Sequence, residues 1–270
     1  MDIIDIALKE DKVKRDISSL IVPRDLKKKA FIIFKEKGIF CGGRIVKEVF
    51  KRVDKSIKVK ILKKDGEIVK KGEKVIKLYG NVRSILRGER VALNFLQHLS
   101  GIATITKKFV KRAGKIKVYD TRKTIPGLRD LQKYAVRCGG GKNHRMNLED
   151  AVMIKDNHWI FWKGEKNIFF KLKKYKWKNK KIIIELDSLR KLKKVIQFKP
   201  DVIMLDNFSV NNLKKAIKII RENLPETEIE VSGRIDFKKM ERLRNFDIDR
   251  VSIGFITHSV KAIDISLEFA

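Results

Sequence analysis

The chain has 270 residues, enough for one large domain or two unequal ones, and 43% of them are hydrophobic, so a substantial core can form. No apolar run approaches the roughly 18 residues that a bilayer-spanning helix needs. Lys and Arg number 65 against 33 Asp and Glu, giving a net charge of +32, but the basic residues are spread along the whole chain. There is no zinc-finger spacing, aromatic RNA-binding motif or separate basic tail, so the charge reads as a solvated surface and not as a specific nucleic-acid site.

The N-terminus, MDIIDIALKEDK, lacks the basic-then-apolar order of a secretory signal, and the default compartment is the cytoplasm. Ile3, Ile4, Ala7 and Leu8 recur at helical spacing and predict a first helix within residues 1–20. After Pro23, the segments Lys29 to Lys35, Ile57 to Leu62 and Glu73 to Tyr79 alternate or run apolar between glycine-containing turns, which predicts short antiparallel strands. The span DGEIVKKGEKVIKLY, Asp65 to Tyr79, reads as two strands with tight turns. From Ser84 the period becomes helical up to Gly101, and a second helical stretch runs from about Ile102 to Arg112. The boundary between two domains is placed near residue 102.

Beyond that point the chain alternates. Strand-like runs at Ile116 to Asp120, Ala151 to Lys155, Ile182 to Asp187, Val202 to Asp206, Glu228 to Ser232 and Arg250 to Gly254 are separated mostly by helical patterns. Those helices are predicted at Gly127 to Arg137, Ser188 to Phe198, Val210 to Asn223 and Phe237 to Asn245. Such alternation specifies parallel strands with crossover helices, in an α/β fold that is an incomplete barrel or an open sheet. Lys163 to Lys181 is the densest basic cluster, with Ile168, Phe169 and Leu172 at helical spacing, and predicts an exposed helix face.

Groups able to do chemistry gather at the C-terminal ends of the strand-like runs, the edge at which parallel α/β folds build their sites. Arg122 and Lys123 follow Asp120, and Lys155, Glu185, Asp206, Ser232-Gly233 and Gly254 end the later runs. His144 and Arg145 follow the triple glycine Gly139 to Gly141. Arg supplies a planar fork for carboxylates and Lys a compact point charge, so the mixture suits a dicarboxylate or a pyrophosphate. Glu185 and Asp206 could hold ribose hydroxyls, hold a Mg²⁺ already carrying phosphates, or stabilise positive charge at an anomeric carbon. Glycine at 233 and 254 lets backbone N–H groups approach a phosphate. Cys41 and Cys138 are far apart in sequence, fit no metal spacing and read as reduced thiols.

These blocks resemble the quinolinate phosphoribosyltransferase family over nearly the whole chain. The resemblance is carried by ERVALNFLQHLSGIAT from Glu89, DTRKTIPGLR, YAVRCGGGKNHRMNLEDAVMIKDNH, IELDS, IMLDNFS, VSGRI and SIGFITHS. It implies an N-terminal α/β sandwich domain at 1–102, joined by the tail at about 260–270, and a C-terminal α/β barrel-like phosphoribosyltransferase domain at 103–259 with fewer strands than an eightfold barrel. It implies a homodimer, or a larger assembly of dimers, with shared sites and no membrane association. The implied substrates are quinolinate and 5-phosphoribosyl 1-pyrophosphate, with Mg²⁺, and the implied products are nicotinate mononucleotide, pyrophosphate and CO₂, a step of NAD biosynthesis.

Within that resemblance Arg122, His144, Arg145, Lys155 and a neighbour's Arg90 would hold the two carboxylates. Lys123 and Lys155 would face the phosphoribosyl donor, and Glu185 and Asp206 its ribose or the metal, directly or through Mg²⁺-bound substrate. Lys123, Lys155, Glu185 and Asp206 are thus the implied catalytic set. The Ser232, Gly233 and Gly254 backbones would cradle the 5-phosphate. Two positions depart from the family pattern: Arg234 stands where a second glycine is common, and His98 where an arginine is common. A relative of the same architecture acting on another anionic ring, and a basic nucleic-acid-binding protein, are the competing readings.

Overall fold

The computed structural model describes residues 2–160 and 180–270. The chain forms two compact units. The first comprises residues up to Lys108 with Thr124–Gly141 and Ile256–Ala270, and the second comprises Phe109–Lys123 and Lys142–Phe255.

The first unit is built on a four-stranded antiparallel sheet in the order β12-β1-β5-β3. Its strands are β1 (Lys27–Phe34), β3 (Lys58–Ile61), β5 (Lys74–Asn81) and β12 (Ile265–Phe269). The last strand returns to pair with the first, Ala30 opposite Phe269 and Phe34 opposite Ile265. α1 (Ile3–Glu10), α2 (Gly43–Val53) and the long α3 (Val82–Ala113) supply apolar residues to the same core, among them Ile4, Val46, Phe50, Ile85 and Leu96. Asp2 caps α1 by accepting from the Ile4 N–H at 3.0 Å.

The first helix falls within residues 1–20 as expected, and two later expectations change. α1 ends at Glu10, and 3₁₀ turns follow at Val13–Arg15 and Ser18–Ile21, because Lys12 adopts a left-handed conformation (φ 49°) that breaks the helix. The two helical stretches around residue 101 are one continuous helix of 32 residues. Gly101 is an interior position of it, and a Cβ there would sit 2.4 Å from the Lys261 carbonyl. Its glycine marks a close backbone approach and not a helix end. Finally, the two strands of DGEIVKKGEKVIKLY are in different sheets: β4 (Ile68–Val69) pairs with β2 (Gly38–Ile39), while β5 pairs with β1 and β3.

The second unit holds a six-stranded sheet in the order β6-β11-β10-β9-β8-β7, every pairing parallel. Its strands are β6 (Lys117–Tyr119), β7 (Ala151–Ile154), β8 (Lys181–Leu186), β9 (Val202–Asp206), β10 (Glu228–Ser232) and β11 (Arg250–Ser252). Crossovers run through α6 (Leu189–Ile196), α7 (Val210–Asn223) and α8 (Phe237–Leu243). Elsewhere, α4 (Arg129–Cys138) lies in the first unit, α5 (Asp156–Ile160) follows β7, and α9 (Phe255–His258) follows β11. Among the described residues the pairings form an open order and not a closed ring. The lysine-rich cluster expected at Lys163 to Lys181 lies, up to residue 179, outside the described residues.

Because every strand of the second unit points the same way, all its C-terminal ends share one edge. Register then fixes which side chains share a face. Glu230 pairs with both Arg250 and Met204, Ser232 with Asp206, and Glu185 with Met204. With a period of two, one face carries Tyr119, Ser252, Ser232 and Asp206 as its upper row, and Arg250, Glu230, Met204 and Glu185 beneath. Arg250 and Glu230 are buried charged residues within this lower row.

Candidate active site

Asp120, just past β6, organises the first part of the edge. It is fully buried, and its carboxylate accepts the His144 backbone N–H at 2.8 Å and the Asn143 side-chain amide at 2.5 Å. The backbone also ties the segment down: Lys142 N–H donates to the Val118 carbonyl at 2.7 Å, and Asp120 N–H to the Lys142 carbonyl at 3.1 Å. The residues after the triple glycine are thus stitched beside the end of β6, which brings Arg122, His144 and Arg145 to one end of the sheet.

Arg122 and Arg145 are close enough that their charges oppose each other. The Arg145 guanidinium is depressed below its ordinary value first by burial and then by repulsion from Arg122, with Asp150 acting in the opposite sense. Arg145 Nη1 donates to the Ala151 carbonyl at 3.1 Å, anchoring the side chain to the start of β7. Two guanidinium groups held together in a partly buried place favour a bound anion.

The His144 ring is committed. Its Nδ1 accepts the Arg145 backbone N–H at 3.0 Å, so the ring proton is on Nε2, which faces the Glu230 carboxylate at 3.4 Å. Glu230 is fully buried and also lies 2.8 Å from Arg250 Nε. Burial alone would raise the Glu230 carboxyl, yet His144 and Arg250 hold it below its ordinary value. The Arg250 guanidinium in turn lies 4.9 Å from the Tyr119 ring centre. The sequence reading missed Glu230 and Arg250 in this lower row. Their signal was a Glu in EIEVS and an Arg in RVSIG at matching distances from strand ends.

At the other end of the row, Lys155 Nζ meets Glu185 Oε2 at 2.5 Å, and Trp159 Nε1 donates to the Glu185 carbonyl at 3.1 Å. Burial raises the Glu185 carboxyl above its ordinary value; Lys155 opposes this and the nearby Asp206 charge adds to it. Asp206 accepts from the Ser232 hydroxyl and, at 2.7 Å, from the Asn207 side-chain amide. The two carboxylates are therefore neighbours on one face, with a lysine on Glu185 and a hydroxyl on Asp206.

Gly233 follows Ser232 with φ +92°, and a Cβ there would lie 2.2 Å from Asn207 Oδ1, so only glycine fits. Arg234 is also left-handed, with φ 45°, and is exposed. Lys239, near the start of α8, reaches back to the same loop: its Nζ donates to the Gly233 carbonyl at 2.6 Å, and burial depresses its ammonium while Asp206 and Asp236 favour the charge. Lys239 is a further cation at the edge that sequence reasoning did not single out. Gly254 follows β11, where Ile253 N–H donates to the Tyr119 carbonyl at 2.9 Å. Lys123 is exposed just past Arg122, its backbone N–H held by the Thr121 hydroxyl at 3.0 Å. Arg90 is exposed on α3, in the first unit.

Among the described residues, Glu185 and Asp206 belong to no group of three or more potential metal ligands. Two carboxylates without further protein ligands suit a Mg²⁺ that keeps waters and arrives with substrate phosphates, and do not suit a closed protein cage. No described helix is long and apolar enough to cross a membrane.

The model of the quinolinate phosphoribosyl transferase C-terminal domain matches residues 102–268, and that of the N-terminal domain matches residues 16–100. A probable nicotinate-nucleotide pyrophosphorylase [carboxylating] of Bacillus subtilis (strain 168) is 38% identical over 261 residues, covering 96% of this chain and 89% of the relative. Its counterpart in Methanocaldococcus jannaschii is 41% identical over 256 residues, covering 92% and 89%. The solved nicotinate-nucleotide pyrophosphorylase of Francisella tularensis superposes with a TM-score of 0.90 at 41% identity, over 99% of this chain and 94% of that one. The match of both domain models, over residues 16–100 and 102–268, together with relatives 38% and 41% identical over most of their length, places the chain in the quinolinate phosphoribosyltransferase family.

Proposed function

We propose that the chain catalyses the carboxylating nicotinate-nucleotide pyrophosphorylase reaction, transferring the phosphoribosyl group of 5-phosphoribosyl 1-pyrophosphate to quinolinate with release of pyrophosphate and CO₂. The observation that carries this reading is the approach of Arg122 to Arg145, two forks with like charges that would favour a dianion bound between them. A pyridine with two adjacent carboxylates is such a dianion.

In this reading Arg122 and Arg145 hold the two carboxylates, with Lys155 and with Arg90 of the partner subunit in a homodimer. The exposure of Arg90 on α3 supports that sharing. His144 reaches a carboxylate only by releasing Glu230; otherwise it serves by holding the Arg145 backbone. Lys123 and Lys155 face the donor's pyrophosphate. Ser232, Gly233 and Gly254 receive its 5-phosphate, and Lys239 adds a cation on that side. Glu185 and Asp206 accept from the ribose hydroxyls and, being negative and close, favour the positive charge that develops at the anomeric carbon as the pyrophosphate leaves. The same two carboxylates would hold Mg²⁺, which when bound offsets the charge of the pyrophosphate.

No protein nucleophile is needed. The pyridine nitrogen attacks, and the chain's work is to align two anions and screen their mutual repulsion. Loss of CO₂ beside the quaternised nitrogen is favoured by that ring cation, and the arginines that held the departing carboxylate remain satisfied by the other.

The test is a turnover assay with purified protein. Quinolinate should be consumed, and CO₂ released, only when the phosphoribosyl donor and Mg²⁺ are both present. Turnover of a monocarboxylate pyridine in preference to quinolinate would overturn the substrate assignment.

A further inference from the structure

We propose that Cys41 and Cys138 form a thiol–disulfide modification site that reacts with small-molecule disulfides to give a reversible intrachain disulfide. The two residues are 97 positions apart in sequence, yet both sulfurs and an Asp65 carboxylate oxygen lie within 4.8 Å of one another in the first unit. Cys41 is buried between β2 and α2, and Cys138, the last residue of α4, is partly exposed. One thiol is therefore reachable from solvent and the other is held directly behind it.

The pair is polarised in the sense this chemistry needs. The Cys138 sulfur beside it, with burial, raises the Cys41 thiol above its ordinary value. The Cys41 sulfur lowers Cys138 in turn; burial opposes this, and the Tyr134 hydroxyl and Arg137 add to the lowering. The roles follow from exposure: the partly exposed Cys138 is the attacking sulfur and the buried Cys41, close behind it, the resolving one.

A metal centre made of the same three residues fits less well. Asp65 Oδ1 accepts the Gly42 and Gly43 N–H groups at 3.1 and 3.2 Å, and Oδ2 accepts the Tyr134 hydroxyl at 2.7 Å. Both carboxylate oxygens are occupied as local anchors, which leaves a two-thiol pair. These contacts also fix the frame around the sulfurs, because Asp65 joins the turn before α2 to α4.

The chemistry balances with a disulfide such as oxidised glutathione as the oxidant. The Cys138 thiolate attacks one sulfur of that disulfide, the S–S bond breaks, and one glutathione thiolate leaves. Cys41 then gives up its proton to the departing glutathione thiolate and attacks the Cys138 sulfur, expelling the second glutathione. Two protein thiols are oxidised, and one glutathione disulfide is reduced to two thiols.

The experiment equilibrates the full chain in buffers of rising oxidised-to-reduced glutathione ratio, quenches with an alkylating agent and maps peptides without reduction. The thiol titre should fall from two to none, with a linked Cys41–Cys138 peptide that dithiothreitol reverses. Cys41→Ser should instead stop at a single glutathione adduct on Cys138, and Cys138→Ser should leave Cys41 unmodified under the same conditions, with melting curves confirming that both variants fold. A wild type that accumulates the Cys138 adduct without a link, links between chains, or stays a dithiol in oxidised glutathione alone would overturn the proposal. So would modification of Cys41 in Cys138→Ser. Every readout is independent of phosphoribosyl transfer.

Discussion

The Glu230 carboxylate lies 3.4 Å from His144 Nε2, one row below Ser232 and Asp206 at the strand ends. Arg250 stands on its other side at 2.8 Å, and all three residues are buried. This carboxylate links the floor of the sheet to the loop carrying Arg145. Removing it leaves the buried Arg250 with Glu228, 3.1 Å from its Nη1, as the opposing acid, so the loss should fall below the roughly 3–5 kcal/mol of a fully uncompensated buried charge. Glu230→Ala should still lower the melting temperature, while Glu230→Gln, which keeps the shape, should lose less. An unchanged melting curve for Glu230→Ala would show that the triad contributes little.

Arg122 and Arg145 illustrate a cost borne for binding. Their charges repel in the substrate-free protein, so Arg122→Gln should leave that form about as stable as the wild type. The same change removes a charge-assisted contact of roughly 1.5–3 kcal/mol, so kcat/KM for quinolinate should fall by about 10- to 100-fold. Arg145→Lys should fall comparably, because the fork is lost although the charge is kept. A parallel melting and kinetic series checks both; loss of stability together with activity would make these arginines structural.

Arg234 holds φ 45° immediately after a glycine that also needs a positive φ. A non-glycine residue in this region costs on the order of 1 kcal/mol. Arg234→Gly should relieve that strain and raise stability by up to about 1 kcal/mol, a gain readable by chemical denaturation. If the exposed guanidinium meets the donor's phosphate, the KM for the phosphoribosyl donor should rise by about two- to fivefold, the weight of an exposed ion pair. A variant that is less stable than the wild type would contradict the strain argument.

Much of this architecture is legible in the sequence because period and strand-end chemistry are local. Val202 to Asp206 and Glu228 to Ser232 have the expected bounds as strands, and Asp206, Ser232 and Gly233 fall where the strand-end reading put them. What was not legible depends on partners distant in the chain. The glycine at 101 marks a helix passing the Lys261 carbonyl, which no local pattern announces. The helix α2, Gly43–Val53, was hidden behind two glycines that the turn reading took at face value; Gly42 carries the positive φ and Gly43 already begins the helix. The Glu230–Arg250 pair needs the register of two parallel strands, and Lys239 needs the return of a helix onto its own preceding loop.

His98 replaces an expected cation with a half-buried neutral acceptor. Gln132 Oε1 accepts the Ile125 N–H at 3.0 Å, which turns the amide nitrogen toward His98 Nε2 at 2.8 Å. An amide nitrogen only donates, so His98 Nε2 accepts and must be unprotonated. Burial also depresses the imidazole below its ordinary value of 6.5. The unfolded chain therefore binds a proton near pH 6.5 that the folded chain resists. The contribution of this group to stability is complete above that pH and is lost progressively as pH falls from there toward the depressed folded value. His98→Gln keeps an acceptor and removes the titration. Denaturation measured at pH 7.5 and at pH 5.5 should show a smaller acid-induced loss for the variant than for the wild type, and equal losses would mean that His98 titrates normally in the folded protein.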